Sequence, residues 1–340
     1  MEHIFLNWFN KNLSAQFQKH LIAFLICFDK FYGQKMFHVE HFFIFIPMET
    51  VKLCPICNNS AFNDVLSLKD YFYTKESFTI QQCSQCGLKL TNPRPGKDEI
   101  SRYYESEDYL SHTEEQKTLF SKVYGLIRNI NISSKSRIIT KNSSGKSILD
   151  IGCGVGLLLK YMKELGWSTK GIEPGTQAKN TAETKYGLSI SPDIQQLLNQ
   201  KYDVISMWHV LEHVFEIRDY LLKIKELLND EGTLFIAVPN ILSLDSDRYK
   251  NFWAAYDVPR HLYHFRPKDI EELCEKSGLR ITKTIPMWFD AFYICILSEK
   301  YKGGMFQLIK AIWTAFRSNL VAALFTPSRC TSLIYIIKKE

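Results

Sequence analysis

Two kinds of residue cluster in this chain could carry chemistry. Cys54-Pro-Ile-Cys57 and Cys83-Ser-Gln-Cys86-Gly87 are two C-x-x-C pairs about 25 residues apart. Two such knuckles on facing turns supply four thiolates in a tetrahedron, the arrangement Zn²⁺ prefers. Gly87 permits the tight turn that brings backbone N–H groups toward sulfur. Two pairs suit a closed structural site better than a redox-active one, and the ion would supply folding energy to a segment too small for its own core. The second cluster is rich in imidazole. "DVISMWHVLEHV" (203–214) opens as an apolar strand and then presents Trp208, His209, Glu212 and His213. On a helical turn His209, Glu212 and His213 share one face. "DVPRHLYHF" (257–265) adds His261 and His264, so four of the five histidines after Met48 lie in these two stretches. An imidazole with a pKa near neutrality suits proton transfer, and a His/Glu set suits a divalent cation.

The elements that must position these groups can be read from periodicity. From Lys146 onward, apolar strands ("SILDIG", "STKGIEP", "YDVISMW", "GTLFIAVP") alternate with amphipathic stretches ("GLLLKYMKELG", "TQAKNTAETKYG", "IRDYLLKIKELLND"). That alternation predicts an α/β fold with a doubly wound, mostly parallel sheet. In such a sheet ligands bind outside the carboxyl ends of the strands, where His209, Glu212 and His213 fall. "SILDIGCGVG" is a strand entering a glycine loop. Gly152, Gly154 and Gly156 make G-x-G-x-G, with Leu157 at the place of the third glycine of the dinucleotide fingerprint, so the pyrophosphate-binding form is not met. Asp150 closes the strand. Glu173, in "GIEPG", lies about 17 residues past Gly156, where a carboxylate can accept hydrogen bonds from both hydroxyls of a ribose.

These residues closely resemble class I S-adenosylmethionine-dependent methyltransferases: "LDIGCGVG" is similar to that family's first motif and "GIEPG" to its second. The resemblance covers about residues 146–285 and the last strand. It implies a Rossmann-like sheet of seven strands. It also implies that Asp150, Gly152, Cys153, Gly154 and Gly156 form the cofactor loop and that Glu173 holds the ribose. Asp193, a looser match, would lie near the adenine, and Trp208 beside the cofactor. The wider arrangement, "CPIC…CSQCGLKLTNPRP" before the domain and "DVPRHLYHF" after the fifth strand, resembles bacterial methyltransferases with an N-terminal zinc-binding region. Members of that group are often associated with modified sugars or other small metabolites. At the rim, one of His209, His213 or His261 would act as a general base on an attacking hydroxyl. Alternatively, His209, Glu212, His213 and His261 would bind a divalent cation that lowers the acceptor's pKa, or the four would only shape the rim. Quinone methyltransferases use an E-x-x-E-H metal motif in which His209 here replaces the first Glu. Trp208, Trp253, Tyr256 and Tyr263 would wall the pocket, and Arg260 would hold an anionic group on the acceptor.

The expected organisation has four parts: an extension at 1–47, a zinc-ribbon-like module at 48–97, a helical linker or lid at 98–145, and a methyltransferase domain at 146–340. Within the last, a helical insertion is expected at about 288–328, before the final strand. Residues 1–47 hold ten of the 23 phenylalanines without a clean period, which suggests translation from an upstream start with Met48 as initiator. "MFHVEH" (36–41) can also be encoded by a perfect palindrome resembling bacterial chromosome-partitioning sites. The apolar run at 21–28 is too short to span a bilayer. Residues 305–325 read as a helix packed over the sheet or acceptor. A membrane-surface segment is the alternative, and the few basic residues on that stretch count against it. A net charge of +6 without a Lys/Arg block gives no indication of nucleic acid, and the cysteine pattern favours a reducing compartment, the cytoplasm. The expected reaction is methyl transfer to a small-molecule or sugar-containing acceptor, most simply on oxygen. Its rivals are an RNA or protein methyltransferase that docks through the zinc module and a non-catalytic cofactor-binding scaffold.

Overall fold

A computed structural model of the chain describes residues 48–104, 119–197 and 200–340, with the backbone alone at 119–128. The expected extension at 1–47 and residues 105–118 of the expected linker lie outside the described residues.

The N-terminal part is a small antiparallel structure. β1 (Met48–Glu49) pairs with β5 (Arg94–Pro95), while β2 (Phe62–Lys69), β3 (Ser77–Cys83) and β4 (Lys89–Thr91) form a meander. α1 (Leu119–Lys141) then leads into the main sheet. The main sheet's elements follow as β6 (Ser147–Ile151), α2 (Leu157–Glu164), β7 (Ser168–Ile172), α3 (Thr176–Tyr186), β8 (Ile190–Ser191), β9 (Tyr202–Trp208), α4 (Ile217–Leu227) and β10 (Leu228–Pro239). After α5 (Leu244–Tyr249) and β11 (Tyr263–His264), the chain continues through α6 (Pro267–Lys276), β12 (Leu279–Pro286), α7 (Asp290–Lys302), α8 (Gln307–Leu324) and β13 (Ser332–Lys339).

The seven-stranded sheet runs β12-β13-β10-β9-β6-β7-β8, with β13 antiparallel between β10 and β12. It is a Rossmann-like, mostly parallel α/β sheet, differing from the simple doubly wound order by that inserted last strand. Side chains alternate across each strand and divide the core. Leu149, Ile205, Ile236 and Tyr335 face α4 and α6 through Leu221, Ile224 and Leu273. Ile148, Val204, Phe235 and Ile336 face α1 and α2 through Ile139, Leu159 and Met162. Both faces are covered, which is why these strands read as near-continuous apolar runs.

The cysteine-bearing module is not a separate bead. β11, from the loop after the fifth strand of the main sheet, adds antiparallel to β4 with Tyr263 opposite Leu90 and His264 opposite Lys89. The small sheet therefore runs β11-β4-β3-β2, and Leu88 and Leu90 share a core with Leu262 and Phe265. Arg260 locks the join. Its guanidinium, 3 % exposed, donates to Asp257 Oδ2 at 2.9 Å and to the Tyr103 carbonyl at 2.8 Å, reaches Asp70 Oδ1 at 3.4 Å, and lies over the Phe72 ring. Arg260 is thus engaged inside the protein, and the expectation that it grips an anionic acceptor is not met. Removing one partner of a buried ion pair strands the others. Arg260→Met should lower the unfolding free energy by about 3 kcal/mol or more, seen as a lower urea midpoint; an unchanged midpoint would contradict the lock.

Candidate functional site

The four cysteines meet on two turns of the module. Sγ of Cys54 lies 3.5 Å from Cys86 and Sγ of Cys57 lies 3.4 Å from Cys83, with all four sulfurs within 4.8 Å of one another. A tetrahedral zinc with Zn–S bonds near 2.3 Å sets sulfurs about 3.8 Å apart, so the donor set fits that ion. Burial opposes ionisation at Cys83. The N–H groups of Cys86 and Gln85 and the Asn59 amide nevertheless bring its thiol down to about 6, toward the thiolate a metal needs. Arg266 braces the second knuckle by donating to the Cys86 carbonyl at 2.7 Å, and it fills the space where a Cβ on Gly87 would stand.

The glycine loop lies between β6 and α2. Gly152 has φ +69° and sits against Val210, leaving no room for a Cβ, while Gly154, at φ +54°, faces open space. Gly156 packs on Leu188 and Ala182. The Cys153 side chain turns back against Gly171. Glu173, at the end of β7, accepts from the Gly154 and Gly175 N–H groups, both at 2.8 Å. Each carboxylate oxygen retains a lone pair for further donors. Asp150 closes β6, is 3 % exposed and accepts from Ser206 Oγ at 2.6 Å. Asp193 follows β8, is exposed, and caps the turn at Ile194–Leu197 by accepting from Gln195 N–H.

β9 ends at Trp208, whose indole N–H is buried without an acceptor. The chain then turns at His209, held at φ +58°, an uncommon conformation for a residue with a side chain. That turn sets His209 Nε2 2.9 Å from Asp290 Oδ2 and Nδ1 3.4 Å from Glu212 Oε1. Burial disfavours a charged ring here, yet Asp290 and Glu212 raise His209 to about 10 and hold it as the imidazolium. Glu212 is 1 % exposed, and the long contact from His209 Nδ1 leaves its carboxylate oxygens without a well-formed hydrogen bond.

His213 and His261 stand beside that carboxylate, with their rings 4.7 Å apart. His213 Nδ1 lies 2.9 Å from the Arg260 carbonyl and His261 Nδ1 lies 2.8 Å from the Ala255 carbonyl. A carbonyl only accepts, so each ring carries a proton on Nδ1. Burial and the neighbouring His261 lower His213 to about 4, keeping it neutral. Glu212, His213 and His261 offer ligand atoms that lie within 4.8 Å of one another. His264 stands apart from them: its Nε2 meets Thr91 Oγ1, and that hydroxyl donates to the His261 carbonyl at 2.8 Å. The cysteine-bearing module therefore positions His261.

Of the expected aromatic wall, Trp208 alone remains at the strand ends. Trp253 is buried with its N–H on Asp245, Tyr256 packs in the same core, and Tyr263 donates to the Phe215 carbonyl. Three residues escaped the sequence analysis. Asp290 follows β12, so the rule that ligands gather at strand ends, applied to the sixth strand, would have found it. Lys135 of α1 lies over the Trp208 ring at 4.5 Å and is electrostatically paired with Asp150 and Asp290. Tyr104 meets His213 Nδ1 at 3.0 Å. Neither Lys135 nor Tyr104 has a local motif.

Residues 126–284 match the family described as "Methyltransferase domain". That stretch of the chain is similar to a methyltransferase domain. Among curated proteins, the chain is 26% identical over 170 residues to the mitochondrial ubiquinone biosynthesis O-methyltransferase of Bos taurus, a match covering 45% of this chain and 46% of that protein. It is 31% identical over 157 residues to the ubiquinone biosynthesis O-methyltransferase of Chelativorans sp., covering 42% of this chain and 62% of that one. The chain thus spans about half the length of the mitochondrial relative it matches. Among solved structures, magnesium protoporphyrin IX methyltransferase from Synechocystis with bound SAH aligns with a TM-score of 0.47 at 16% identity, covering 71% of this chain and 99% of that one. A SAM-dependent methyltransferase from Archaeoglobus fulgidus aligns at 0.44 and 20% identity, covering 63% and 94%.

Two outcomes follow. Metal analysis of the purified protein should find about one zinc per chain, lost together with thermal stability in a Cys54→Ser/Cys57→Ser variant. Burial raises the Asp150 carboxyl to about 6, despite the Ser206 hydrogen bond and Lys135. Its folded pKa is therefore above the unfolded one, so the ionised carboxylate costs stability at neutral pH, and that cost disappears as pH falls through about 6. Asp150→Asn should raise Tm at neutral pH, with a gain that shrinks toward about pH 4; a gain independent of pH would contradict this.

Proposed function

We propose that the protein is an S-adenosylmethionine-dependent methyltransferase that modifies an oxygen of a small-molecule or sugar-containing acceptor. In this reading the cofactor lies on the Gly152–Gly156 loop, with Glu173 on its ribose, Asp193 toward its adenine, and Asp150, Cys153 and Trp208 lining its seat. Cys54, Cys57, Cys83 and Cys86 hold a structural zinc. Glu212, His213 and His261 hold a divalent cation, and His209 braces Glu212 from outside. The carrying observation is the buried Glu212 carboxylate, whose one charged neighbour, His209, stands at a long 3.4 Å, flanked by two imidazoles each fixed through Nδ1 by a backbone carbonyl. A buried anion of that kind needs a cationic partner, and a carbonyl on the far ring nitrogen is the usual support of a metal-bound histidine. The names of the curated relatives favour a small acceptor and transfer to oxygen. In this reading the chain divides into a zinc module at 48–97, a helical linker or lid at 98–145 and a methyltransferase domain at 146–340. The eight described cysteines are all free, which suits the cytoplasm.

The chain's own residues have three tasks. Gly154 leaves the cleft open beside the Glu173 carboxylate, whose remaining lone pairs fix the ribose. Asp150, Glu173 and Asp290 set a negative field around the cofactor seat, suited to a ligand with cationic centres. His209, clamped between Asp290 and Glu212, is an imidazolium, so it does not serve as the base and instead steadies Glu212. When bound, the cofactor supplies a sulfonium-activated methyl group, leaving in-line alignment and water exclusion as the protein's contribution. When bound, the cation lowers the pKa of an acceptor hydroxyl.

Isothermal titration should show S-adenosylmethionine binding that Glu173→Ala weakens about tenfold or more, as expected for losing charge-assisted hydrogen bonds; unchanged affinity would overturn the cofactor seat. Electron paramagnetic resonance of added Mn²⁺ should show the free-ion signal depleted by wild type and restored in Glu212→Gln. A signal that wild type leaves intact would remove the cation and return the base role to His213 or His261.

A further inference from the structure

α8 is oriented against ordinary expectation. Its buried stripe is made of small residues, Ala311, Thr314, Ala315, Ser318 and Ala322, at helical spacing. The opposite arc carries Ile309, Ile312, Trp313, Phe316, Leu320 and Leu324, all exposed, with Trp313 at 63% and Ile309 at 67%. The apolar surface continues onto Met305, Phe306 and Phe325 at the ends of the helix and onto Trp288, Phe289, Tyr293 and Ile296 around α7. A patch this extensive exceeds what isolated surface hydrophobics explain.

The charges around the patch are of one sign. Between residues 288 and 328 the acids are Asp290 and Glu299, and both are turned inward, Asp290 onto His209 and Glu299 at 2 % exposure. The basic residues Lys300, Lys302, Lys310 and Arg317 are exposed. Lys310 and Arg317 flank one side of the apolar arc, Lys300 and Lys302 lie at the end of α7, and Arg248 joins Arg317 in a groove beside α8. The same groove holds Asp247, which is ion-paired with Arg329. A symmetric contact with a second copy would bring these like charges together. An anionic bilayer instead accepts the apolar arc among its acyl chains and the lysines and arginines among its headgroups. Among the described residues no helix is long and apolar enough to cross a membrane, so such a helix lies on the surface.

We propose that α7 and α8 form an interfacial docking element that seats the protein on anionic lipid bilayers. α7 begins with Asp290, the residue that clamps His209, so the docked face is continuous with the rim of the methyltransferase site. The proposal stands apart from the assignment of the reaction, because it rests on surface and charge alone.

The test is flotation of the full chain with vesicles of phosphatidylcholine alone and of phosphatidylcholine with phosphatidylglycerol. Wild type should float with the anionic vesicles, release with salt, and show a blue shift of tryptophan emission. Trp313→Ser/Phe316→Ser should lose partitioning at least about tenfold while keeping its near-ultraviolet circular dichroism. Lys310→Glu/Arg317→Glu should lose the preference for anionic vesicles. Two results would overturn the proposal. One is wild type that stays unbound with both vesicles. The other is light scattering that shows a dimer which Trp313→Ser/Phe316→Ser converts to monomer, assigning the face to a second copy.

Discussion

A carboxylate placed where water cannot reach it, with only a long contact to one imidazolium, is the constraint around which the rest of the molecule is arranged. Glu212 follows the fourth strand of the main sheet by a few residues. The positive φ of His209 is what returns the chain toward it. One cation, the imidazolium of His209, answers part of its charge and is itself held by Asp290 from the far end of the sheet. The remaining demand falls on the side where His213 and His261 offer ligand atoms within 4.8 Å of it. Each of those rings is fixed by a backbone carbonyl, so neither can rotate or change tautomer without giving up a buried hydrogen bond.

The cysteine-bearing module gains a mechanical meaning from this geometry. Its strand β4 pairs with β11, and Thr91 donates its backbone N–H to the Leu262 carbonyl and secures His261 and His264 through its hydroxyl. A four-thiolate knuckle stabilises β3 and the turn into β4, and β4 fixes the loop that bears His261. The module thus acts on the site through position and without touching the cofactor loop. Arg260 serves the same join from the other side, where Asp70, Tyr103 and Asp257 absorb its donors.

Much of this was legible in the sequence, for local reasons. C-x-x-C pairs and the G-x-G-x-G loop are short-range geometries that a few residues specify, and the strand-end rule placed His209, Glu212 and His213 on the rim. What escaped depends on distant pairing. β11 is two residues long, and nothing in "LYHF" announces a partner some 170 residues earlier in β4. Arg260 looked available because its three partners come from three separate segments. Asp290 and Lys135 reach the rim from elements read only as a helical insertion and a linker. For α8 the sequence indicated an apolar helix but not which face turned inward. Alanine, serine and threonine form the seat because they allow close approach to α5 and α7, leaving the large apolar side chains outside.

The account's central claim is that one rim joins a cofactor cleft to a cation site built on Glu212. The most direct measurement is anomalous scattering from a crystal grown with S-adenosylhomocysteine and Mn²⁺, collected at the zinc and manganese edges. The account predicts a zinc peak among Cys54, Cys57, Cys83 and Cys86, a manganese peak joining Glu212, His213 and His261, and the cofactor's ribose on Glu173. A cofactor bound away from Glu173, or a rim without manganese while Glu212 stays buried, would contradict it.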